Sequence, residues 1–275
     1  MKVMCEICPH HCKIEEGHTG LCKARSNQKG RIICENYGRL TAVALDPIEK
    51  KPLYHFHSGS RILSVGSYGC NLSCPFCQNS DISMVGGTQI ETDEISCEEL
   101  AEKALLLRDR GNIGIAYTYN EPLIGYEFVR DCARLARQKG LKNVVVTNGY
   151  VCEEALKQLL PFIDAFNIDL KGFTDEYYHK LGGDLATVKR SIELAVKSCH
   201  VEVTTLIVPG ENDSEEEMEE LSSWLAGLNP DIPLHISRFF PRWRMQDREA
   251  TPVKQVYSLS SVARRRLKYV HEGNC

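Results

Sequence analysis

The chain has 275 residues, 43% hydrophobic and 25% charged, with a formal net charge of −4. That is apolar material for one large core, or a core with a small appendage, and it excludes a protein drawn as a whole to nucleic acid or acidic lipid. No apolar run approaches the ~20 residues of a membrane helix, and the N-terminus lacks a signal peptide's apolar stretch. The expectation is a soluble, cytoplasmic protein with neither a nucleic-acid nor a membrane partner.

Residues 1–60 begin with Cys5-x2-Cys8-x3-Cys12-x9-Cys22, followed by two short strand-like runs, Arg31–Cys34 and Leu40–Leu45, around the turn-prone Asn36-Tyr37-Gly38. They read as a Cys-rich N-terminal appendage. From residue 61 the pattern changes. Arg61–Tyr68, Ile113–Tyr119, Asn143–Thr147, Ala165–Leu170, Val201–Val208 and Leu234–Phe240 are short runs rich in Val, Ile, Leu and aromatics, as in strands buried on both faces. Helical patterns lie between them. Ser96-x-x-Glu99 reads as a capping box before Leu100, Ala101, Ala104 and Leu105, and Phe128, Cys132, Leu135 and Ala136 recur at helical spacing. Ile192, Leu194, Ala195 and Val196 do so less cleanly, Ser214-x-x-Glu217 opens a helix through Leu225, and a last helix is expected over 251–268. Six β-then-α units imply parallel strands joined by right-handed crossovers. An open doubly wound sheet and a barrel both fit this pattern; eight units would close a barrel, and with six, residues 61–275 are expected to form an α/β partial (β/α)6 TIM barrel with an open side.

Seven of the thirteen cysteines fall in two groups, at Cys5/Cys8/Cys12/Cys22 and at Cys70/Cys74/Cys77; the other six are scattered and read as small buried hydrophobes or idle thiols. Without an export signal, grouped cysteines point to metal or catalysis rather than disulfides. Cys70-x3-Cys74-x2-Cys77 places three thiols directly after the first strand of the barrel. Soft thiolates select iron–sulfur clusters, zinc or Cu(I). Three are one short of saturating a cubane, leaving one iron open to a small molecule, whereas structural zinc closes its shell with a fourth ligand. No second C-x2-C or H-x3-5-H pair follows Cys77. The first group has four thiols and suits either zinc or a saturated second cluster, with His10, His11 and His18 as substitutes for one of them; a small appendage with little core needs such a staple.

Cys70-x3-Cys74-x2-Cys77-Gln78-Asn79 resembles the radical S-adenosylmethionine (SAM) signature. Val146-Thr147-Asn148-Gly149-Tyr150, Asp169-Leu170-Lys171 and Val208-Pro209-Gly210-x2-Asp213 are similar to motifs of the activases of glycyl-radical enzymes, the pyruvate formate-lyase-activating enzymes among them. Cys5-x2-Cys8-Pro9-His10-His11-Cys12, Gly17-x2-Gly20-x-Cys22, Asp46-Pro47-Ile48-Glu49-Lys50-Lys51-Pro52-Leu53, Tyr117–Pro122 and Arg238-Phe239-Phe240-Pro241 resemble the AmmeMemoRadiSam family, radical SAM enzymes often encoded beside Memo-type proteins. The resemblance spans nearly the whole chain. It implies a radical SAM oxidoreductase in which a [4Fe–4S] cluster on Cys70, Cys74 and Cys77 chelates SAM and cleaves it by one electron to a 5′-deoxyadenosyl radical. That radical takes a hydrogen from a substrate, either a protein glycine or a small molecule or other protein residue with Memo-type partners. A flavodoxin- or ferredoxin-type protein would supply the electron. A zinc-binding interaction module is the reading outside this class.

The resemblance also implies SAM-binding residues at the strand ends: Tyr119, Asn120 and Glu121, Thr147 and Asn148, Asp169 and Lys171, and Phe239, which shapes a turn and packs the adenine through backbone contacts. Tyr119-Asn120 stands where relatives carry Gly-Gly before the Glu, and Val146 where relatives often carry Asp. The plainer reading of Asn120 is a helix cap with Pro122 in the first turn. Arg238, Arg242 and Arg244 read as a solvated cluster or as contacts to an anionic substrate. Relatives often continue past a Gly-Asn such as Gly273-Asn274 into a tail with a further C-x2-C, so an altered N-terminal metal site is expected where such a tail is lacking.

Overall fold

Six short runs buried on both faces, with a half-buried strand added at each edge, make one eight-stranded sheet in the computed structural model, which describes residues 1–275. Its strands are β1 (Ala42–Pro47), β2 (Arg61–Gly66), β3 (Asn112–Tyr117), β4 (Lys142–Thr147), β5 (Ala165–Asp169), β6 (His200–Ile207), β7 (Leu234–Arg238) and β8 (Val270–Gly273). Neighbours in sequence are neighbours in the sheet. β2 to β8 pair in parallel, and β1 joins the edge of β2 antiparallel. Seven helices connect them: α1 (Cys97–Leu106), α2 (Tyr126–Gln138), α3 (Glu153–Leu159), α4 (Asp175–Leu181), α5 (Leu185–Val196), α6 (Glu215–Leu228) and α7 (Val253–Ala263). The result is a partial barrel whose edges, β1 and β8, are unpaired with each other. One core of 53 buried residues joins the sheet to the helices.

All six expected barrel strands are present, and Ser96 and Glu99 form the full capping box of α1. The sheet is nonetheless larger than expected by β1 and β8. The Arg31–Cys34 run does not pair with the segment after Asn36. It forms a hairpin with Arg25–Gln28, because Lys29 (φ 52°) and Gly30 (φ 74°) make the two-residue left-handed turn whose twist matches paired strands. That frees Ala42–Pro47 to extend the barrel sheet, so the sheet reaches into the segment assigned to the appendage. The last helix is shorter than expected, since the chain leaves α7 at Ala263 to enter β8.

The floor of the barrel is closed by the segment between β1 and β2. On β6, Glu202 faces inward and is wholly buried. It accepts from the backbone N–H of His55 (2.7 Å) and Tyr54 (3.0 Å) and pairs with His235 Nε2 (2.6 Å) and His200 Nε2 (2.9 Å). Burial alone would raise its pKa, but these four partners outweigh burial and lower it to about 2. His55 Nε2 lies 2.8 Å from His271 Nε2 of β8, so the same plug also reaches the far edge strand.

Candidate active site

Parallel strands in register end at one rim, and the loops that leave the rim share one mouth. Here the mouth holds a cavity of about 660 Å³. Cys70, Cys74 and Cys77 line it from the loop after β2. That loop has no regular structure of its own and is held by its neighbours. Asn120 Oδ1 accepts from Ser67 N–H (2.9 Å), and its Nδ2 donates to the carbonyls of Tyr68 and Gly69 (3.1 Å each). Asn71 donates to Tyr150 O (2.6 Å) and accepts from Asn148 Nδ2 (2.9 Å), which also lies 3.7 Å from Cys70 Sγ. Asn120 is therefore a brace for the cysteine loop and not a helix cap. The cap is Glu121, which accepts from Leu123 N–H (2.9 Å) ahead of Pro122.

Tyr119, Asn120, Glu121, Thr147, Asn148, Asp169 and Lys171 all line the same cavity. Phe239 does not. It is 1% exposed in the hydrophobic core, because the chain turns after Arg238 and exchanges hydrogen bonds with Thr251, carrying the ring away from the mouth. Glu121 accepts from Thr147 Oγ1 (2.6 Å) and Asn148 N–H (2.7 Å). Burial dominates over those bonds and raises its pKa to about 7. Lys171 Nζ lies 2.6 Å from Asp169 Oδ2. Burial would lower the lysine's pKa, but Asp169 and Cys74 outweigh burial and raise it, so it stays a cation inside the cavity.

Two groups at this mouth were not singled out from the sequence as site residues. Lys51, 3% exposed, pairs with Asp46 (2.8 Å), and Tyr119 OH donates to the same Asp46 oxygen (2.6 Å). The ammonium also sits 4.5 Å from the centre of the Tyr119 ring. Tyr119 takes a left-handed conformation (φ 72°), with its ring filling the space a Cβ on Gly66 would need. The signal was present in the Asp46–Lys51 spacing, but only the fold brings it to Tyr119. His235 is the second; it lines the cavity from below as part of the Glu202 cluster.

The donor set fits an open cluster. Burial pushes the Cys70 thiol well up and the Cys74 thiol to about 11, so thiolates there need a compensating positive charge such as iron supplies. No three Cys, His, Asp or Glu side chains anywhere close on a single metal-ion position. A cubane asks for no such point, since each thiolate takes a different iron. Cys5, Cys8, Cys12 and Cys22 likewise line one small cavity, separate from the mouth.

Comparison with known proteins agrees with this geometry. The profile of the Radical SAM superfamily matches residues 64–225. An uncharacterized protein of Methanocaldococcus jannaschii is 41% identical over 99% of this chain and 81% of its own length. The pyruvate formate-lyase 1-activating enzyme of Escherichia coli is 27% identical over 57% of this chain, a match that spans 65% of that enzyme. The solved domain of a pyruvate-formate lyase-activating enzyme from Bacteroides vulgatus superposes with a TM-score of 0.51 at 17% identity, covering 58% of this chain and 99% of that domain. The chain belongs to the radical SAM superfamily.

Proposed function

We propose that Cys70, Cys74 and Cys77 would hold a [4Fe–4S] cluster, which would supply the electron for reductive cleavage of SAM to a 5′-deoxyadenosyl radical, and that the hydrogen is taken from a glycine of a protein substrate. The observation that carries this reading is that three thiols and the polar ends of β3, β4 and β5 share one cavity of about 660 Å³. The remaining work belongs to side chains. Lys171 offers a buried cation to the SAM carboxylate, and Asp169 and Asn148 offer partners to its amino N–H and ribose hydroxyls. Glu121 holds Thr147 and Asn148 at the end of β4, fixing their direction. The braced loop and buried walls keep water from a reactive radical.

A protein substrate is supported by similarity to activases and by the surface beside Cys77. A second depression of about 550 Å³ runs from Cys77 and Gln78 to Arg242, Trp243 and Gln246, room for an extended peptide next to the cluster. The electron is assigned to a flavodoxin- or ferredoxin-type donor. The test is anaerobic protein with SAM and dithionite. Formation of 5′-deoxyadenosine, with deuterium transferred into it from a [2-²H]glycine-labelled protein fraction, is the expected result. No 5′-deoxyadenosine overturns the enzyme reading, and 5′-deoxyadenosine without deuterium overturns the glycine substrate.

A further inference from the structure

The four N-terminal cysteines are brought together by backbone pairing. The short strands Val3–Met4 and Lys13–Ile14 pair antiparallel, and the bond Cys5 N–H to Cys12 O (3.0 Å) continues the ladder, setting these two residues opposite each other. His11, at φ 41°, returns a bond to Cys8 O (3.1 Å) and closes the turn between Cys8 and Cys12. Lys23, at φ 62°, closes a turn onto Gly20 O (3.0 Å) and delivers Cys22 to the same place. All four line one cavity walled by Ile7, Ile14 and Ile124. His10, Gly20 and Arg25 complete the wall, and Arg25 is 4% exposed. Its Nη groups are taken by Glu127 (2.8 and 2.5 Å) and Ile124 O (2.8 Å), while its buried Nε–H has no partner. An orphaned guanidinium N–H beside four thiols is placed to meet sulfur, and its charge offsets a tetrathiolate centre.

This cavity backs directly onto the cysteine loop of the active site. Asn71 is covalently next to Cys70. Gly69, the residue before Cys70, has φ 85°, and a Cβ there would strike the Cys22 carbonyl. His10 Nε2 bonds Asn71 O (2.8 Å). The two groups are thus joined through His10 and Asn71 on one side and the Gly69–Cys22 contact on the other.

Resting on the radical SAM reading above, we propose that Cys5, Cys8, Cys12 and Cys22 ligate a second iron–sulfur cluster that relays the electron from the protein donor to the cluster at Cys70, Cys74 and Cys77. Four thiolates saturate a cubane, so this centre binds no SAM. A zinc tetrahedron would gather its ligands around one atom, and neither cysteine group is so gathered. The step is a pure electron transfer. A reduced flavodoxin or ferredoxin loses one electron, the second cluster gains it and returns to its oxidised state as the first is reduced, and no bond or proton changes hands.

The experiment is iron and acid-labile sulfide analysis with EPR on anaerobically reconstituted full-length protein. Wild type should hold about eight iron per chain, and C70A/C74A/C77A should keep about four, with a reduced-cluster signal that SAM does not alter. In C5A/C8A the ratio of flavodoxin-driven to dithionite-driven 5′-deoxyadenosine formation should fall at least tenfold. A folded C70A/C74A/C77A that is iron-free, or that carries one zinc instead, overturns the second cluster. An unchanged ratio in C5A/C8A overturns the relay. Wild type that makes no 5′-deoxyadenosine fails the function proposed above and leaves the iron count of C70A/C74A/C77A standing as its own answer.

Discussion

Replacing Glu202 by Ala tests whether the barrel floor is held by one carboxylate. The side chain is wholly buried and accepts from two backbone N–H groups, those of Tyr54 and His55, and from His200 and His235. Truncation leaves two backbone donors and two imidazoles without their acceptor. At about 1–3 kcal/mol for each orphaned buried donor, the two backbone groups alone cost about 4 kcal/mol. For a chain of this size that lowers Tm by about 8–16 °C. Glu202→Gln keeps the shape and one acceptor oxygen and should lose about half as much. The acid limb gives an independent check. A carboxyl lowered from 4.5 to about 2 contributes stability that is present above pH 4.5 and is lost as pH falls toward 2. The full difference is about 3 kcal/mol, of which about 2 kcal/mol is lost by pH 3, so wild type should lose about 2 kcal/mol more than Glu202→Gln between pH 6 and 3. Thermal unfolding followed by circular dichroism, with urea unfolding between pH 6 and 3, reads both. A Glu202→Ala protein within about 2 °C of wild type would refute the account of the floor.

Three further outcomes follow from the site. Single Ala replacements of Cys70, Cys74 or Cys77 should each abolish SAM cleavage and lower iron by about four per chain; retention of a tenth of the activity would argue against their ligand role. Lys171→Met should weaken SAM binding about 10- to 100-fold by equilibrium dialysis, because it removes the cavity cation 2.6 Å from Asp169 and leaves that carboxylate alone; an unchanged Kd would move the SAM carboxylate elsewhere. Gly69→Ala should destabilise the protein by about 2 kcal/mol or more in urea unfolding, since it combines φ 85° with a clash on Cys22 O; a neutral result would mean that the appendage does not press on the cysteine loop.

The six central strands were legible because buried parallel strands are written as short apolar runs, and the capping box of α1 because its two residues sit three apart. β8 was not, since Val-His-Glu-Gly has neither length nor apolarity; pairing with β7 and the inward-facing His271 make it a strand. The cysteine loop and the polar strand ends were legible as chemistry. Phe239, expected to shape a turn and pack the adenine through backbone contacts, shows where alternation stops: His235 and Ser237 line the cavity, and the next residue in that rhythm is Phe239, but the turn to Thr251 carries its ring into the core. The Glu202 cluster draws Tyr54 and His55, His200 and Glu202, and His235 from three separate segments, and the His200-x-Glu202 spacing alone does not announce it. Its one trace is a lone acid between valines in a buried strand.

The cysteine loop shows why the pieces had to come from so far apart. Gly69 to Cys77 contains no helix or strand, so its own backbone supplies little to fix three thiols for a cluster. Rigidity arrives from outside: Asn120 after β3, Asn148 after β4, Leu181 at the end of α4 through Ser73 N–H (2.9 Å), Arg244 after β7 through its own N–H to Pro75 O (3.0 Å), and His10 of the N-terminal segment. Each brace uses a short polar group or a backbone amide, which loses little conformational entropy when fixed. Two of these braces, Asn120 and Asn148, themselves line the cavity, so a shift of either loop is felt at the thiols and at the cavity wall together. A site assembled this way is preorganised by tertiary contacts rather than by local structure. The N-terminal segment is one of those contacts, which places the second cysteine group inside the reaction centre's own support.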